Sequence, residues 1–313
     1  MQSTVTLALI GRGRWGQVYK RSIASLPPVI DGRYTITLPE NNIFGRDYKE
    51  GFKQPRLRGV EGVIVAASTT AHHEIAVYLL QNGFRYILIE KPLTKTYTQA
   101  KELQTLLQKF PETRAMVGHT LLYDPAYQLM KKAAASKIGM LWQIHYTSLK
   151  APPIAGDTII PDAGSPPIYL FLDMAGGKPT TISARPTEHD NIELIIDFDS
   201  RVQGIAHIGT QYPERKREIA LRGEKGTLVL NEFMDPRELL YVDTSGRREH
   251  LDFSKTYTAL QLEILEFVAC VTQKEEPKTP LAEGVEVVKL IELAEQSYKK
   301  GGEPIPCVYE NSI

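Results

Sequence analysis

The stretch over residues 4–16, TVTLALIGRGRWG, constrains this chain more than any other. Val5, Leu7, Leu9 and Ile10 form a short apolar, partly β-branched run suited to a buried strand. It breaks at once into Gly11, Gly13 and Gly16, spaced G-x-G-x-x-G, and then into a helix-like run over 17–25. Strand, glycine turn and helix in that order are the context in which this spacing signals dinucleotide binding. The first glycine permits the tight turn, and the second lets the backbone approach a pyrophosphate. The third lets helix and strand pack closely, and the free N–H groups of the helix face the anion. The candidate cofactor loop is therefore Gly11, Arg12, Gly13, Arg14, Trp15 and Gly16.

The segments that follow fit the same architecture. Buried-strand patterns at 62–67, 86–89 and 115–118 alternate with helix patterns at 72–82 and 98–109, the first of which ends on Gly83. Such alternation predicts a parallel, doubly wound sheet. The stretch over 26–60 is the least regular. A second strand is expected at 34–38, with an acid at its end to hold the adenosine ribose. Glu40 is the candidate there, although Pro39 precedes it. Arg46, further on, suits a 2′-phosphate instead, so the choice between NAD and NADP stays open.

After Gly118 the texture changes. A helix from Asp124-Pro125 to Ala135 is followed by seven strand candidates: 141–149, 180–184, 192–198, 202–210, 217–222, 227–230 and 238–242. Helices at 259–272 and 282–300 close the chain. The reading is α/β: a doubly wound Rossmann domain over 1–118, then an α+β domain over 119–313 with a large, mostly antiparallel sheet. The C-terminal helices have the option of packing back on the first domain. The apolar outer face of such a sheet must be covered, which predicts a homodimer or homotetramer.

Composition excludes several classes. Lys+Arg and Asp+Glu both number 37 in 313 residues, so no net field favours nucleic acid or an anionic membrane. The basic segment over 49–58 lacks stacking aromatics apart from Phe52 and reads as a solvated loop. No apolar run approaches membrane-spanning length. The opening MQSTVTL lacks a secretory pattern, and a cytoplasmic protein is expected. Two cysteines, Cys270 and Cys307, make neither a disulfide framework nor a zinc site unaided, and no metal is expected.

In open α/β sheets, ligands bind outside the carboxyl ends of the strands. Besides the glycine loop, two such ends carry usable groups: the turn over 68–72 and Glu90-Lys91-Pro92. An ammonium at a strand's carboxyl end beside a nicotinamide pocket is placed to bond a substrate hydroxyl or carbonyl and to move its proton. Pro92 permits a cis peptide that aims Lys91 into the cleft.

IGRGRWG, then VAASTTAHHEIAVYLLQNGFRYILIEKPLT, then VGHTLLYDPAYQLMK resemble, in this order, the Gfo/Idh/MocA family: glucose–fructose oxidoreductase, inositol dehydrogenase and rhizopine-catabolism proteins. GEKGTLVLN and the C-terminal helices extend the resemblance over nearly the whole chain. It implies an NAD(P)-dependent oxidoreductase acting on a sugar-like, even nucleotide-linked, substrate. It also implies site roles. Ser68, Thr69 and His72 line the nicotinamide-ribose side, and Glu90 sits near the cofactor ribose. Lys91 touches the reacting oxygen, while His119 and Tyr123 face the substrate cleft.

One segment departs from that pattern. Where the family carries Asp-x-Gly-x-His-x-x-Asp, with the histidine and last aspartate as acid/base pair, this chain has Asp162-Ala163-Gly164-Ser165-Pro166-Pro167-Ile168-Tyr169. Pro166 cannot move a proton, and Tyr169 is left as a second candidate catalytic group, one that is a poor base at neutral pH. Two readings follow. One is hydride transfer with Lys91 as the main proton-handling residue. The other is a catalytically impaired cofactor- or sugar-binding sensor or scaffold on the same fold.

Overall fold

The computed structural model describes residues 3–30, 32–53, 59–149, 159–188, 191–210, 215–232 and 237–309. The last part of the basic segment, from 54 to 58, lies outside these residues.

The elements in chain order begin with β1 (Ser3–Ile10), α1 (Arg14–Ala24), β2 (Tyr34–Thr37), β3 (Ile43–Phe44) and α2 (Tyr48–Phe52). Next come β4 (Gly62–Val65), α3 (Thr69–Gln81), β5 (Tyr86–Glu90), α4 (Tyr97–Leu107) and β6 (Arg114–Gly118). Then follow α5 (Pro125–Lys137), β7 (Leu141–Leu149), α6 (Ser165–Met174), β8 (Pro179–Pro186), β9 (Ile192–Phe198) and β10 (Gln203–Gly209). The chain closes with β11 (Lys216–Gly223), β12 (Gly226–Asn231), β13 (Glu238–Asp243), β14 (Arg248–His250), α7 (Ala259–Gln273), α8 (Leu281–Lys299) and β15 (Ile305–Pro306).

The chain forms two compact units: Met1–Tyr123 with Tyr257–Val288, and Asp124–Thr256 with Lys289–Ile313. The boundary thus falls after Tyr123, not after Gly118, and the first unit takes back α7 and the start of α8. The physical reason is apolar. Leu260, Ile264, Phe267 and Val268 of α7 are buried in one core with Leu7, Leu9 and Ile64 of the strands. Leu281, Val285 and Val288 of α8 join the core on the other side of the sheet. Val117 N–H also donates to Thr279 O at 2.9 Å, tying the end of β6 to this returning segment.

The sheet of the first unit runs in the order β2-β1-β4-β5-β6, all parallel, with buried strands and helices on both faces. This is the doubly wound arrangement. Its second strand is split: β2 pairs with residues 3–6 of β1, whereas β3 pairs with Leu9 and Ile10. The break falls at Pro39, which has no N–H to give a ladder. Asn42 bridges it with a buried side chain whose Nδ2 donates to Leu7 O at 3.3 Å.

The second unit is built on a nine-stranded sheet, β14-β13-β12-β11-β7-β10-β9-β8-β15. Its named pairings are antiparallel except β7 with β10, which are parallel. Burial alternates along β9, β10 and β12, as expected for a sheet with one face on a core. Asp124 caps α5 through Ala126 N–H and receives a two-pronged contact from Arg237 at 2.8 and 2.9 Å. Ahead of α6 the chain forms a π-helical turn, Ile160–Gly164, and Pro166 and Pro167 occupy the first turn of α6 itself.

Candidate active site

Parallel strands place their carboxyl ends along one edge, so the loops after β1, β3, β4 and β5 are neighbours there. Gly11 closes that edge at φ 137°, and a Cβ on it would lie 2.2 Å from Ala66 O. A Cβ on Gly16 would lie 1.9 Å from Gly11 O. Both glycines are therefore required by the packing of loop on strand and helix on loop. Gly13 differs: its Cβ would meet nothing within 4 Å. Gly13 is also the N-cap of α1, and no side chain caps that helix end. The loop thus leaves open space beside unsatisfied N–H groups, the cradle that a pyrophosphate fits.

This space continues into a cleft of about 660 Å³ lined within the first unit. Gly11, Arg12, Gly13, Arg14, Trp15 and Ser68 of the expected residues line it, with Trp15 exposed. So do Gly45, Arg46, Tyr48, Lys49, Ala71 and Glu74, of which sequence reasoning had singled out only Arg46 for the cofactor. The signal for them lay in the aromatic spacing of the irregular segment. Phe52 of α2 meets Phe44 at a tilt, 5.0 Å between centroids, and Phe84 edge-on at 4.8 Å, while Tyr48 meets Tyr78 edge-on at 5.3 Å. These rings pin α2 on α3 and turn Tyr48 and Lys49 to the cleft, where Lys49 pairs with Glu74.

Several expected residues are placed elsewhere. Glu40 is exposed in a short 3₁₀ turn, pairs with Lys20 at 2.6 Å and does not line the cleft. Thr69, the first residue of α3, does not line it either. His72 is buried, with Nδ1 at 3.0 Å from Pro92 O and Nε2 at 3.2 Å from Ala67 O. Burial holds its basicity down, and the ring serves as a clamp between the ends of β4 and β5. Glu90 is buried below the edge: Oε1 accepts from Tyr19 OH at 2.8 Å and Oε2 from Lys91 N–H at 3.0 Å. Tyr19 OH also donates to Glu263 Oε2 of α7, which receives Thr120 Oγ1 as well. Burial, then the neighbouring Glu90, pushes the Glu263 carboxyl well above its ordinary range. Glu90 is thus a foundation of the site and lies outside the cleft lining.

Lys91 follows β5 directly, is half-buried, and is joined to Pro92 by a cis peptide bond. His119 lies within reach of its charge. Burial and then the Lys91 ammonium push the imidazole down to about 3, so His119 is neutral at physiological pH. His119 is fully buried, away from solvent. Tyr123 is also buried, with its hydroxyl 3.1 Å from Thr279 Oγ1, which in turn donates to Val117 O. It locks the returning segment to β6. Tyr169 is buried in the second unit, where its electrostatic neighbours include Tyr127 and Arg217.

A doubly wound parallel sheet with an open glycine loop, a cleft at its carboxyl edge and a lysine after the fourth strand of the ladder defines a Rossmann-type nucleotide-binding fold. Family models agree on which kind. The one described as "Oxidoreductase family, NAD-binding Rossmann fold" matches residues 40–119, and "Oxidoreductase family, C-terminal alpha/beta domain" matches 103–306. The chain belongs to the Gfo/Idh/MocA oxidoreductase family.

Inositol 2-dehydrogenase of Salmonella typhimurium is 27% identical over 152 residues, 45% of this chain and 45% of that enzyme. The chain thus spans less than half the length of the inositol 2-dehydrogenases it matches. Rhizopine catabolism protein MocA of Rhizobium meliloti is 22% identical over 229 residues, 66% of this chain and 72% of that protein. Among solved structures, an inositol dehydrogenase homologue from Azotobacter vinelandii, complexed with NADH and myo-inositol, superposes with a TM-score of 0.80. It is 15% identical, over 97% of this chain and 98% of that one. No group of three or more metal-binding side chains occurs among the described residues, and no helix there is long and apolar enough to cross a membrane.

Proposed function

We propose that this chain is an NAD(P)-dependent oxidoreductase that moves a hydride between a nicotinamide and a carbon bearing oxygen on a sugar-like substrate. The observation that carries the reading is the open Gly13 between two glycines that are closed on backbone, beside an uncapped helix end. The residues present suit a dinucleotide: Gly11, Gly13 and Gly16 with the start of α1 for the pyrophosphate, and Ser68 with the cleft wall beyond. When bound, the nicotinamide supplies the acceptor or donor of hydride. Lys91 supplies the proton, giving it to the substrate oxygen during reduction and taking it back during oxidation. His119, kept neutral by burial and the Lys91 charge, adds no competing positive charge, and the Tyr19–Glu90–Glu263 group holds the backbone from which Lys91 projects. The polyol class is supported by the inositol dehydrogenases among the relatives.

A second reading is favoured by one observation. Pro166 stands where the family resemblance implies the acid/base histidine, and Tyr169 where it implies the aspartate. On that reading the chain binds cofactor or sugar as a sensor and does not turn over. One assay separates the two: the purified protein with NAD⁺ or NADP⁺ and a panel of polyols including myo-inositol, followed at the reduced-nicotinamide band. Turnover that falls about 10²-fold or more in Lys91→Ala, with dinucleotide affinity retained, supports the enzyme. Cofactor binding without any absorbance change on the panel supports the sensor.

A further inference from the structure

The split second strand decides what stands at the adenosine end of the cleft. In a dinucleotide fold the residue after that strand faces the adenosine ribose: a carboxylate accepts the two hydroxyls of NAD, while an arginine accommodates the 2′-phosphate of NADP. Here the carboxyl end of the strand is Phe44 of β3, whose carbonyl receives Gly11 N–H at 2.8 Å. The residues that follow are Gly45 and Arg46, and both line the cleft. Glu40, at the end of the shorter β2, stops half a strand earlier and is spent on Lys20.

Charge around this corner points the same way. Among the described residues, Arg12, Arg14, Arg46 and Lys49 line the cleft, against the single carboxylate of Glu74, which is paired with Lys49. Arg12 is fixed over Gly45: its Nη2 donates to Ile43 O at 3.0 Å, and its Cδ would lie 3.7 Å from a Cβ on Gly45. The competing acid is Asp47. Its Oδ1 accepts Gly45 N–H at 2.8 Å, and its Oδ2 faces Arg12 at 3.6 Å, so the carboxylate is engaged by its own loop. Arg46 makes no ion pair among the described residues and is exposed on the cleft. A planar guanidinium with free donors suits a phosphate dianion and has no acceptor for ribose hydroxyls.

We propose that Arg46, with Arg12 beside it, receives the 2′-phosphate of NADP(H), and that the protein prefers NADP(H) over NAD(H). This rests on the reading of the cleft as a dinucleotide site. Titration calorimetry of the full chain with NADP⁺, NAD⁺, 2′,5′-ADP and 5′-AMP tests it without any turnover. NADP⁺ should bind at least about tenfold more tightly than NAD⁺, the scale of one charge-assisted hydrogen bond, and 2′,5′-ADP should exceed 5′-AMP likewise. Arg46→Ala should erase most of that ratio, leave NAD⁺ affinity in place and leave the melting temperature near that of the native protein. Arg46→Lys should restore part of it. Equal affinity for the two coenzymes, or a preference for NAD⁺ that Asp47→Asn removes, overturns the proposal while the dinucleotide site stands. Binding of neither coenzyme overturns both.

Discussion

A methyl group at position 13 would meet open space, whereas at positions 11 or 16 it would collide with backbone 2.2 and 1.9 Å away. The three glycines of one motif therefore have separable duties. Gly13 has φ −74° and ψ −167°, a conformation any residue adopts, so Gly13→Ala should fold with a melting temperature close to the native one. Its methyl would stand where the pyrophosphate approaches, and calorimetry should show dinucleotide affinity reduced at least about tenfold. Gly16→Ala should instead lower the melting temperature and the yield of folded protein. The spacing was legible in the sequence, but which glycine serves ligand and which serves packing was not, because that depends on what lies across the turn. The same holds for His72 and Glu90, whose motif positions suggested ligands. Both face inward, because a buried clamp and a cleft residue differ only in which way the side chain turns.

Glu263 carries a second prediction at this scale. Burial and Glu90 raise its carboxyl above the ordinary 4.5, so the folded protein keeps a proton there that the unfolded chain releases. Stability contributed by that proton is complete below pH 4.5 and declines as pH rises toward the folded value, by at most ~1.4 kcal/mol per pH unit. His119 acts oppositely. Its folded value of about 3 against an ordinary 6.5 means stability present above 6.5 is lost on acidification. The excess stability of the native protein over Glu263→Gln, a variant that leaves His119 in place, should shrink as pH rises above 4.5, read from urea midpoints. Equal slopes in the two proteins would mean the carboxyl is ionised when folded.

The second strand is the element that sequence patterning read least well. Tyr34–Thr37 was legible as a strand, but Ile43–Phe44 was not, since two residues have no period to detect. Only pairing with β1 makes β3 a strand. Longer patterned elements such as α3 and β9 were found close to their ends, because one buried face imposes its own spacing, whereas the five-residue α2 in the basic segment was not. Asn42 is the joint of the split strand: its amide replaces the ladder bond that Pro39 cannot give. Asn42→Ala should lose that bond at a cost of about 1–2 kcal/mol, read as a fall in the denaturation midpoint. Because β3 carries Gly45 and Arg46 to the cleft, coenzyme affinity should fall in the same variant, while Lys91 and its neighbours are untouched.

At the scale of the whole chain, the first unit is discontinuous, and its two segments are 133 residues apart across 124–256. A split after Gly118 follows naturally from local patterns, since nothing in the periodicity of α7 says which sheet it covers. Its apolar residues do so only in three dimensions. Leu260, Ile264, Phe267 and Val268 fill one core of the first unit, and Leu281, Val285 and Val288 fill the other. Seven such side chains at ~1.5–3 kcal/mol each contribute on the order of 10–20 kcal/mol, against a typical net stability of 5–15 kcal/mol. The fragment 1–123 should therefore fail to reach a packed state, giving no cooperative unfolding transition and no coenzyme binding, despite containing every cleft residue. Joining 123 to 257–288 through a flexible Gly/Ser linker restores those seven side chains, together with the Tyr19–Glu263 and Val117–Thr279 bonds. That fusion should unfold cooperatively and bind dinucleotide with the coenzyme preference of the full chain. Cooperative folding of 1–123 alone would mean that α7 and the start of α8 are dispensable cover, and that the sheet draws its stability from α1, α3 and α4.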